Sequence, residues 1–139
     1  MIEKTLAIIK PDAVKKKVTG EIISMIIKTG FKILGMKYMR ITKEQACSFY
    51  EVHKERGFYN DLTDYMSSGP IVPIALEKEN AIEDYRKLIG NTDPDLAEVG
   101  TVRKLFGESK SYNAVHGSDS IENGIIEIGF FFSKADLLV

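Results

Sequence analysis

Two histidines, His53 and His116, are the side chains best suited to nucleophilic or acid–base chemistry near neutral pH. His53 stands beside charged residues within a predicted helix, where a solvated or packed ring is the usual outcome. His116 ends a short predicted strand and is followed by Gly-Ser-Asp-Ser, a sharp turn that leads into a predicted helix. The backbone N–H groups and the positive dipole end of that helix favour an anion beside the ring. A turn and a helix cap would also explain the Gly-Ser-Asp-Ser residues, but they give no reason for the histidine.

An anionic substrate requires positive charge near His116, and several basic residues are candidates to supply it. Lys10 ends the first predicted strand, Arg86 lies on a predicted helix and Arg103 lies in a long loop. Each of them alone is typical of a solvated surface residue. Spacing along the chain leaves open whether these residues converge on a polyphosphate or are scattered over the surface.

The composition excludes some classes of function. The 19 basic and 20 acidic residues nearly cancel, which argues against a general electrostatic attraction to nucleic acid. The single cysteine, Cys47, cannot form an internal disulfide, which favours a reducing compartment. No apolar run approaches the roughly 20 residues of a membrane helix, and no secretory leader pattern is present. We therefore expect a cytoplasmic protein without a membrane partner.

Hydrophobic patterning predicts four strands, at Thr5–Lys10, Ile33–Ile41, Ile71–Leu76 and Tyr112–His116. Pro11 ends the first of them, because proline lacks an N–H donor and restricts the preceding residue to extended geometry. Pro73 inside the third strand indicates an edge position or an irregularity.

Helices are predicted around Ile22–Ile27, from Thr42, over Asn60–Ser67, over Ala81–Ile89, and from Ser120 to about Phe132. Gly30 and Gly90 stand where helices end, and Thr42 with Gln45 forms a candidate capping box. Asn91–Tyr112 shows no sustained period and is predicted to be a functional loop, and Ala135–Val139 a C-terminal turn. The order of elements predicts an α+β fold: a ferredoxin-like βαββαβ sandwich with an antiparallel four-stranded sheet, added helices and a long loop.

The segment Asn113-Ala-Val-His116-Gly-Ser-Asp119 resembles the active-site motif N-x-x-H-G-S-D of nucleoside diphosphate kinases. Further segments match that family in the same order, at Thr5–Asp12, Met66–Pro70, Arg86–Pro94, Gly100–Arg103 and Glu127–Ile128. Together they cover almost the whole chain and need no large gap between them. The resemblance therefore implies that residues 1–139 form a single nucleoside diphosphate kinase domain.

The resemblance implies a phosphotransferase that moves the γ-phosphate of a nucleoside triphosphate, typically ATP, to a nucleoside diphosphate. The reaction would be ping-pong through a phosphohistidine on His116, and it would maintain the pools of the other triphosphates. Glu127 would hold the N–H of the other ring nitrogen through a hydrogen-bond chain, and Lys10 would also take part in catalysis. The alternative for Glu127 is an exposed helix glutamate without a partner.

The family's nucleotide contacts carry over to Lys10, Tyr50, Phe58, Leu62, Arg86, Thr92, Arg103, Asn113 and Gly117. Phe58 would stack on the base, which explains acceptance of any ribo- or deoxyribonucleotide, because every base has a π-face. Leu62 would pack nearby. Mg²⁺ would be held mainly by the nucleotide's phosphates, without direct protein ligands. The resemblance further implies a homo-oligomer, either a tetramer or a hexamer.

Some positions depart from the family pattern or from ideal geometry. Gly57 and Val99 replace usual prolines, and Gly124 replaces a usual alanine in the last helix, at a cost of about 1 kcal/mol. Asn113 and His116 are three residues apart, so in an ideal strand they would face opposite sides. Their joint action requires a bend or a strand that starts late.

Two other classes of function compete with the kinase hypothesis. An RNA-binding module on the same fold would need aromatic residues on its central strands, whereas the first and third strands carry Leu, Ala and Ile. A catalytically silent scaffold would be expected to have lost His116 or its phosphate ligands. This chain keeps them, so the kinase is preferred and nucleic acid is not an expected partner.

Overall fold

The structure, a computed structural model, describes residues 1–138. Within them, four strands form one antiparallel sheet: β1 (Ile2–Ile9), β2 (Lys32–Met36), β3 (Val72–Glu79) and β4 (Val115–Gly117). The strand order is β2-β3-β1-β4, which is the order of a ferredoxin-like sandwich. The predicted α+β fold class is therefore confirmed.

Seven α-helices surround the sheet in the described part of the chain. They are α1 (Pro11–Lys15), α2 (Thr19–Lys28), α3 (Lys43–Phe49), α4 (Tyr59–Met66), α5 (Ala81–Ile89), α6 (Val102–Phe106) and α7 (Ile121–Phe131). Single 3₁₀ turns cover Glu51–His53, Pro94–Leu96 and Lys134–Asp136. From Met1 to Leu138, no helix is both long enough and apolar enough to cross a membrane.

The second part of β1, residues 5–9, is buried on both faces of the sheet and separates two apolar layers. Ala7 and Ile9 pack into the layer of α2 and α5, and Leu6 and Ile8 pack into the layer that holds Ile128 and Phe131 of α7. His116 of β4 lies opposite Ile8 in the antiparallel register. Side chains that are directly opposite share a face of the sheet. The register therefore turns the His116 ring toward the layer of α7.

Gly124 lets α7 approach β1 closely. A Cβ atom at this position would lie 2.6 Å from the carbonyl oxygen of Lys4, inside van der Waals contact. Glycine is therefore needed for close packing of α7 on β1, and this packing offsets the lower helix propensity of glycine. Glu127, one turn later on the same helix, is brought to the level of β4.

The capping predictions are confirmed. Thr42 opens α3 with a complete capping box to Gln45, and the Ser120 side chain accepts the N–H of Asn123 at the start of α7. Gly30 follows α2 with a φ of +100°, in the left-handed region that a Cβ would disfavour.

The bounds of two predicted strands are wrong: β2 ends early, and β4 begins at Val115 rather than Tyr112. β2 ends at Met36 rather than Ile41, and beyond it only Met39 forms an isolated bridge, to Ile71. Pro73 does not lie at an edge, because β3 lies between β2 and β1. The other alternative, an irregularity, agrees with the structure, because regular pairing with β2 stops at Ile74, the residue after Pro73. The carbonyl of Pro73 accepts the N–H of Lys37, just beyond the end of β2, so the donor that proline lacks would point to where regular pairing has stopped.

Segments of the sequence without a sustained hydrophobic period contain short helices in the structure. The predicted loop Asn91–Tyr112 holds the 3₁₀ turn Pro94–Leu96 and α6, whose first turn is capped by Thr101. His53 lies in the 3₁₀ turn after α3 rather than inside a helix. The C-terminal turn forms over Lys134–Asp136, and the last residue of its predicted range, Val139, lies outside the described residues.

Candidate active site

His116 is held by a carboxylate. Its Nε2 lies 2.8 Å from Oε1 of Glu127, and the two side chains are 18% and 21% exposed. A carboxylate only accepts hydrogen bonds, so the proton of a neutral ring is on Nε2 and the lone pair is on Nδ1. Within residues 1–138, Nδ1 has no hydrogen-bond partner. The bond is direct, whereas the resemblance implied a chain.

Ser118 completes this arrangement and was not singled out by the sequence reasoning. Its hydroxyl donates to the same Oε1 of Glu127 at 2.8 Å and accepts the N–H of Leu6 at 3.0 Å. A carboxylate that accepts two hydrogen bonds on one oxygen is fixed in orientation. The Gly-Ser-Asp sequence after His116 was the available signal, but it was interpreted only as a turn and cap.

β4 starts too late to include Asn113, so Asn113 and His116 do not belong to one regular strand. β4 begins at Val115, whose N–H donates to the carbonyl of Asn113 at 2.9 Å, and Ala114 between them has a φ of +74°. This i to i+2 bond with positive φ is a γ-turn of the strained form. The turn removes the alternation that would set the two side chains on opposite sides of a regular strand.

Lys10 and Asn113 form a buried polar pair. The Lys10 ammonium donates to Oδ1 of Asn113 at 2.8 Å, and the amide nitrogen of Asn113 donates to the carbonyls of Thr92 and Lys110 at 3.1 and 3.0 Å. Lys10 is only 8% exposed. Because the donors of the amide are used, its oxygen must face the ammonium, which fixes where Lys10 points.

The guanidinium of Arg103 joins two segments of the site. It donates to the carbonyl of Gly90 at 3.0 Å and to that of Val115, the residue before His116, at 2.9 Å. Burial, with the positive charge of Arg86 nearby, lowers the pKa of Arg103 to about 10. Burial and then the charge of Arg103 lower the pKa of Lys10 from 10.5 to about 8. Arg103 therefore lies close enough to repel Lys10 on one side and Arg86 on the other.

A cleft of about 910 Å³ opens beside Lys10, a volume typical of ligand sites. It is lined by Lys10, Phe58, Asp61, Leu62, Asp64, Tyr65, Ser68, Thr92, Lys110, Ser111 and Tyr112. Phe58 is 50% exposed at the start of α4, so its ring face is open to a ligand. Arg86 is exposed in a second depression, of about 920 Å³, which shares Thr92 with the cleft.

His116 and five of the residues that the resemblance assigned to nucleotide contacts do not line the cleft; the five are Tyr50, Arg86, Arg103, Asn113 and Gly117. Tyr50 is buried, its hydroxyl has no hydrogen-bond partner among the described residues, and burial with the charge of Glu127 raises its pKa. Gly117 ends β4, where a Cβ would lie 2.8 Å from the ring of Tyr85. The glycine at 117 is thus explained by packing.

Comparison with known proteins gives the family. The family model for nucleoside diphosphate kinase matches residues 3–137. The chain belongs to the nucleoside diphosphate kinase family. A nucleoside diphosphate kinase of Chloroherpeton thalassium is 58% identical over 135 residues, 97% of this chain and 96% of that protein.

Solved nucleoside diphosphate kinases have the same fold. The enzyme of Aquifex aeolicus superposes with a TM-score of 0.98 at 43% identity, covering 99% of this chain and 100% of that one. The halophilic enzyme of Halobacterium salinarum, solved in complex with CDP, superposes with a TM-score of 0.95 at 33% identity. The match covers 100% of this chain and 93% of that one. Nucleoside diphosphate kinases transfer phosphate between nucleotides and need a divalent metal. The predictions of family, fold and phosphotransferase activity are therefore confirmed.

Proposed function

We propose that this chain transfers the γ-phosphate of a nucleoside triphosphate, typically ATP, to a nucleoside diphosphate through a phosphohistidine on His116. The lone pair of Nδ1 attacks the γ-phosphorus, the Nδ1–P bond forms, and the bond from phosphorus to the β,γ-bridging oxygen breaks. The diphosphate leaves, and a second diphosphate takes the phosphoryl group back by the reverse steps. The hydrogen bond of 2.8 Å between Nε2 and Glu127 carries this proposal, because it leaves Nδ1 as the nucleophile.

Glu127 also stabilises the charge that develops on the ring. As Nδ1 bonds to phosphorus, the imidazole gains positive charge, and a carboxylate at Nε2 counters it. Ser118 and the backbone of Leu6 hold that carboxylate in place before the reaction starts. Little reorganisation is then needed in the transition state.

Lys10, Arg86 and Arg103 supply the positive charge for the polyphosphate. The lowered pKa values of Lys10 and Arg103 support this role, since buried, mutually repelling cations are stabilised by an incoming anion. Thr92 and Asn113 add polar groups beside Lys10. Phosphoryl transfer depends largely on such positioning and charge stabilisation.

Phe58 and Leu62 would receive the base at the open end of the cleft. Stacking on a half-exposed aromatic ring does not select among bases, which supports a broad range of ribo- and deoxyribonucleotides. We place the activity in the cytoplasm, where it would maintain the triphosphates other than ATP.

Mg²⁺ is the divalent ion that we propose for the reaction. Within the described ranges, no group of three or more His, Cys, Asp or Glu side chains is arranged to hold a metal. Phosphate oxygens are hard ligands that suit Mg²⁺, so the nucleotide would carry most of its coordination. When bound there, the ion supplies charge neutralisation on the phosphates.

We also propose that the chain is a homo-oligomer, a tetramer or a hexamer. Several apolar side chains of α7 and its surroundings are exposed, among them Ile125, Ile126 and Ile2. Exposed apolar patches of this kind mark interaction surfaces. Light scattering measures the mass directly, and a value of 15.6 kDa, the mass of one chain, would contradict the proposal.

The test of the proposed function is isolation of the phosphorylated protein. Incubation with γ-labelled ATP and no acceptor should leave label on His116 that is stable in base and lost in acid, as expected for a phosphoramidate. Adding a nucleoside diphosphate should remove the label and form labelled triphosphate. A protein that transfers phosphate without ever carrying such label would overturn the ping-pong route.

We expect kcat/KM to fall as the pH rises through about 8. The folded-state pKa of Lys10 is depressed from 10.5 to about 8, so the free enzyme loses this charge above that pH. The profile of kcat/KM reports the ionisation of the free enzyme. Lys10→Arg keeps a cation at all working pH values, and should move the alkaline limb upward even if its maximum is lower. Lys15→Arg, on the exposed part of α1, is the matched control and should keep the limb unchanged.

A further inference from the structure

The strained turn at Ala114 is the least favourable backbone geometry near His116. Its φ of +74° lies in the left-handed region, which an alanine rarely adopts because of its Cβ. Strained residues persist only where surrounding contacts determine them. The contacts that hold Ala114 are therefore candidates for a functional role.

Both peptide groups of Ala114 are tied to the segment after β1. The N–H of Ala114 donates to Oδ2 of Asp12 at 3.0 Å, and its carbonyl accepts the N–H of Lys10 at 2.9 Å. The bond from Lys10 continues the pairing of β1 with β4. The bond to Asp12 does not belong to any sheet ladder, and it depends on a side chain.

The Asp12 carboxylate is itself fixed by Tyr65. The Tyr65 hydroxyl donates to Oδ1 of Asp12 and accepts the backbone N–H of Asp12 at 2.8 Å. Each carboxylate oxygen thus has one partner, the hydroxyl on one side and Ala114 on the other. Burial and the contact with Asp12 raise the pKa of Tyr65, so the hydroxyl stays a donor.

The turn at Ala114 sets the directions in which the side chains on either side of it, Asn113 and His116, point. Asn113 orients the Lys10 ammonium, and His116 meets Glu127. If Ala114 relaxed to an ordinary extended φ, Asn113 and His116 would tend to opposite faces of the strand. The Tyr65 ring also lines the cleft and lies 4.6 Å, centroid to centroid, from Tyr112.

We propose that Asp12 and Tyr65 form a positioning pair, which holds Ala114 in its strained turn and so keeps His116 and Asn113 directed at the same phosphate. Neither side chain needs to touch the transferred group. This role rests on the proposed nucleophile His116. The pair acts on kcat, because it sets the alignment of reacting groups more than the binding of the base.

The test is loss and rescue of the phosphorylation rate. Asp12→Ala should slow single-turnover phosphorylation by saturating ATP about 10- to 100-fold, with KM changed less than threefold. Asp12→Ala combined with Ala114→Gly should recover most of that loss, because glycine adopts positive φ without the Cβ penalty. A defect that came only from a destabilised fold would appear in urea unfolding as a loss of folded protein, whereas the phosphorylation rate per folded molecule would stay at the wild-type value.

Glu3→Ala is the matched control, since this carboxylate also holds a backbone N–H, that of Ile82 at 3.1 Å, but away from His116. Glu3→Ala should keep the rate of single-turnover phosphorylation within about twofold of the wild-type rate. If Asp12→Ala does not fold, Tyr65→Phe removes a single hydroxyl and should slow phosphorylation 3- to 10-fold, again with recovery by Ala114→Gly.

Two results would overturn the positioning role: a folded Asp12→Ala or Tyr65→Phe protein that is phosphorylated at the wild-type rate, or a folded double variant without recovery. Failure of the proposed function is distinguishable, because the wild-type chain would then carry no label on His116 at all.

Discussion

His116→Ala is expected to lower phosphate transfer on the order of 10⁴-fold or more, because the variant has no atom that can accept the phosphoryl group. Glu127 and Ser118 would remain in place but would have no ring to orient. The nucleotide should still bind, since Lys10, Phe58 and Thr92 line the cleft independently of the imidazole. The measurement combines steady-state transfer, labelling by γ-labelled ATP, and nucleotide binding by calorimetry.

Two further variants show whether the effect belongs to this ring. His53→Ala removes the other imidazole, which lies in a 3₁₀ turn with its ring 5.8 Å from that of Phe58, and should keep kcat within about threefold. Glu127→Gln keeps a polar group but loses the negative charge, and should lower kcat about 10- to 100-fold. A His116→Ala protein that transfers phosphate within tenfold of wild type would rule out the covalent route.

The parts of the fold that the sequence predicts are those set by local chemistry. Thr42 and Ser120 cap their helices through bonds to residues three positions away, so their signal is contained in a short window. α1 and α6 have five residues each, little more than one turn, and no hydrophobic period can be recognised over that length. For Pro73 the sequence left an edge and an irregularity open for a different reason: a proline inside a strand is tolerated where the neighbouring strand stops pairing, and the local sequence does not show that point.

The residues of the site also divide into those that the local sequence predicts and those that depend on long-range pairing. His116 could be found because one of only two histidines stands in a recognisable motif, whereas Lys10 was assigned through the resemblance to the family. The bond between Lys10 and Asn113 spans 103 positions, and it exists because β1 pairs with β4 in one register. Asp12 and Ser118 were missed because each looks like an ordinary turn or cap residue until that register is known. Long-range pairing, rather than residue type, decides which polar groups meet.

Arg103→Ala is expected to lower kcat about 100- to 1,000-fold, with a smaller effect on the dissociation constant of the nucleotide. A cation fixed beside the transferring phosphate stabilises charge that is largest in the transition state. The structure adds a second consequence, because the guanidinium also holds the carbonyls of Gly90 and Val115.

Loss of Arg103 leaves those two carbonyls without their donor, while it relieves repulsion with Lys10 and Arg86. The lost hydrogen bonds and the relieved repulsion oppose each other, so we expect a net loss of about 1 to 3 kcal/mol in the free energy of unfolding.

The alkaline limb of the kcat/KM profile of Arg103→Ala should also move to higher pH, since the charge of Arg103 is one cause of the depressed pKa of Lys10. Urea unfolding and the pH profile measure these two effects separately.

Arg103→Lys separates charge from geometry. A lysine keeps one positive charge but cannot make the forked contact to two carbonyls, so it should restore nucleotide affinity more fully than kcat. Lys104→Ala, the exposed neighbour on α6, is the matched control and should change neither. If Arg103→Ala weakened nucleotide binding as much as it lowered kcat/KM, with kcat preserved, the guanidinium would serve ground-state affinity. Charge stabilisation in the transition state would then have to come from Lys10 and from the divalent metal ion on the phosphates.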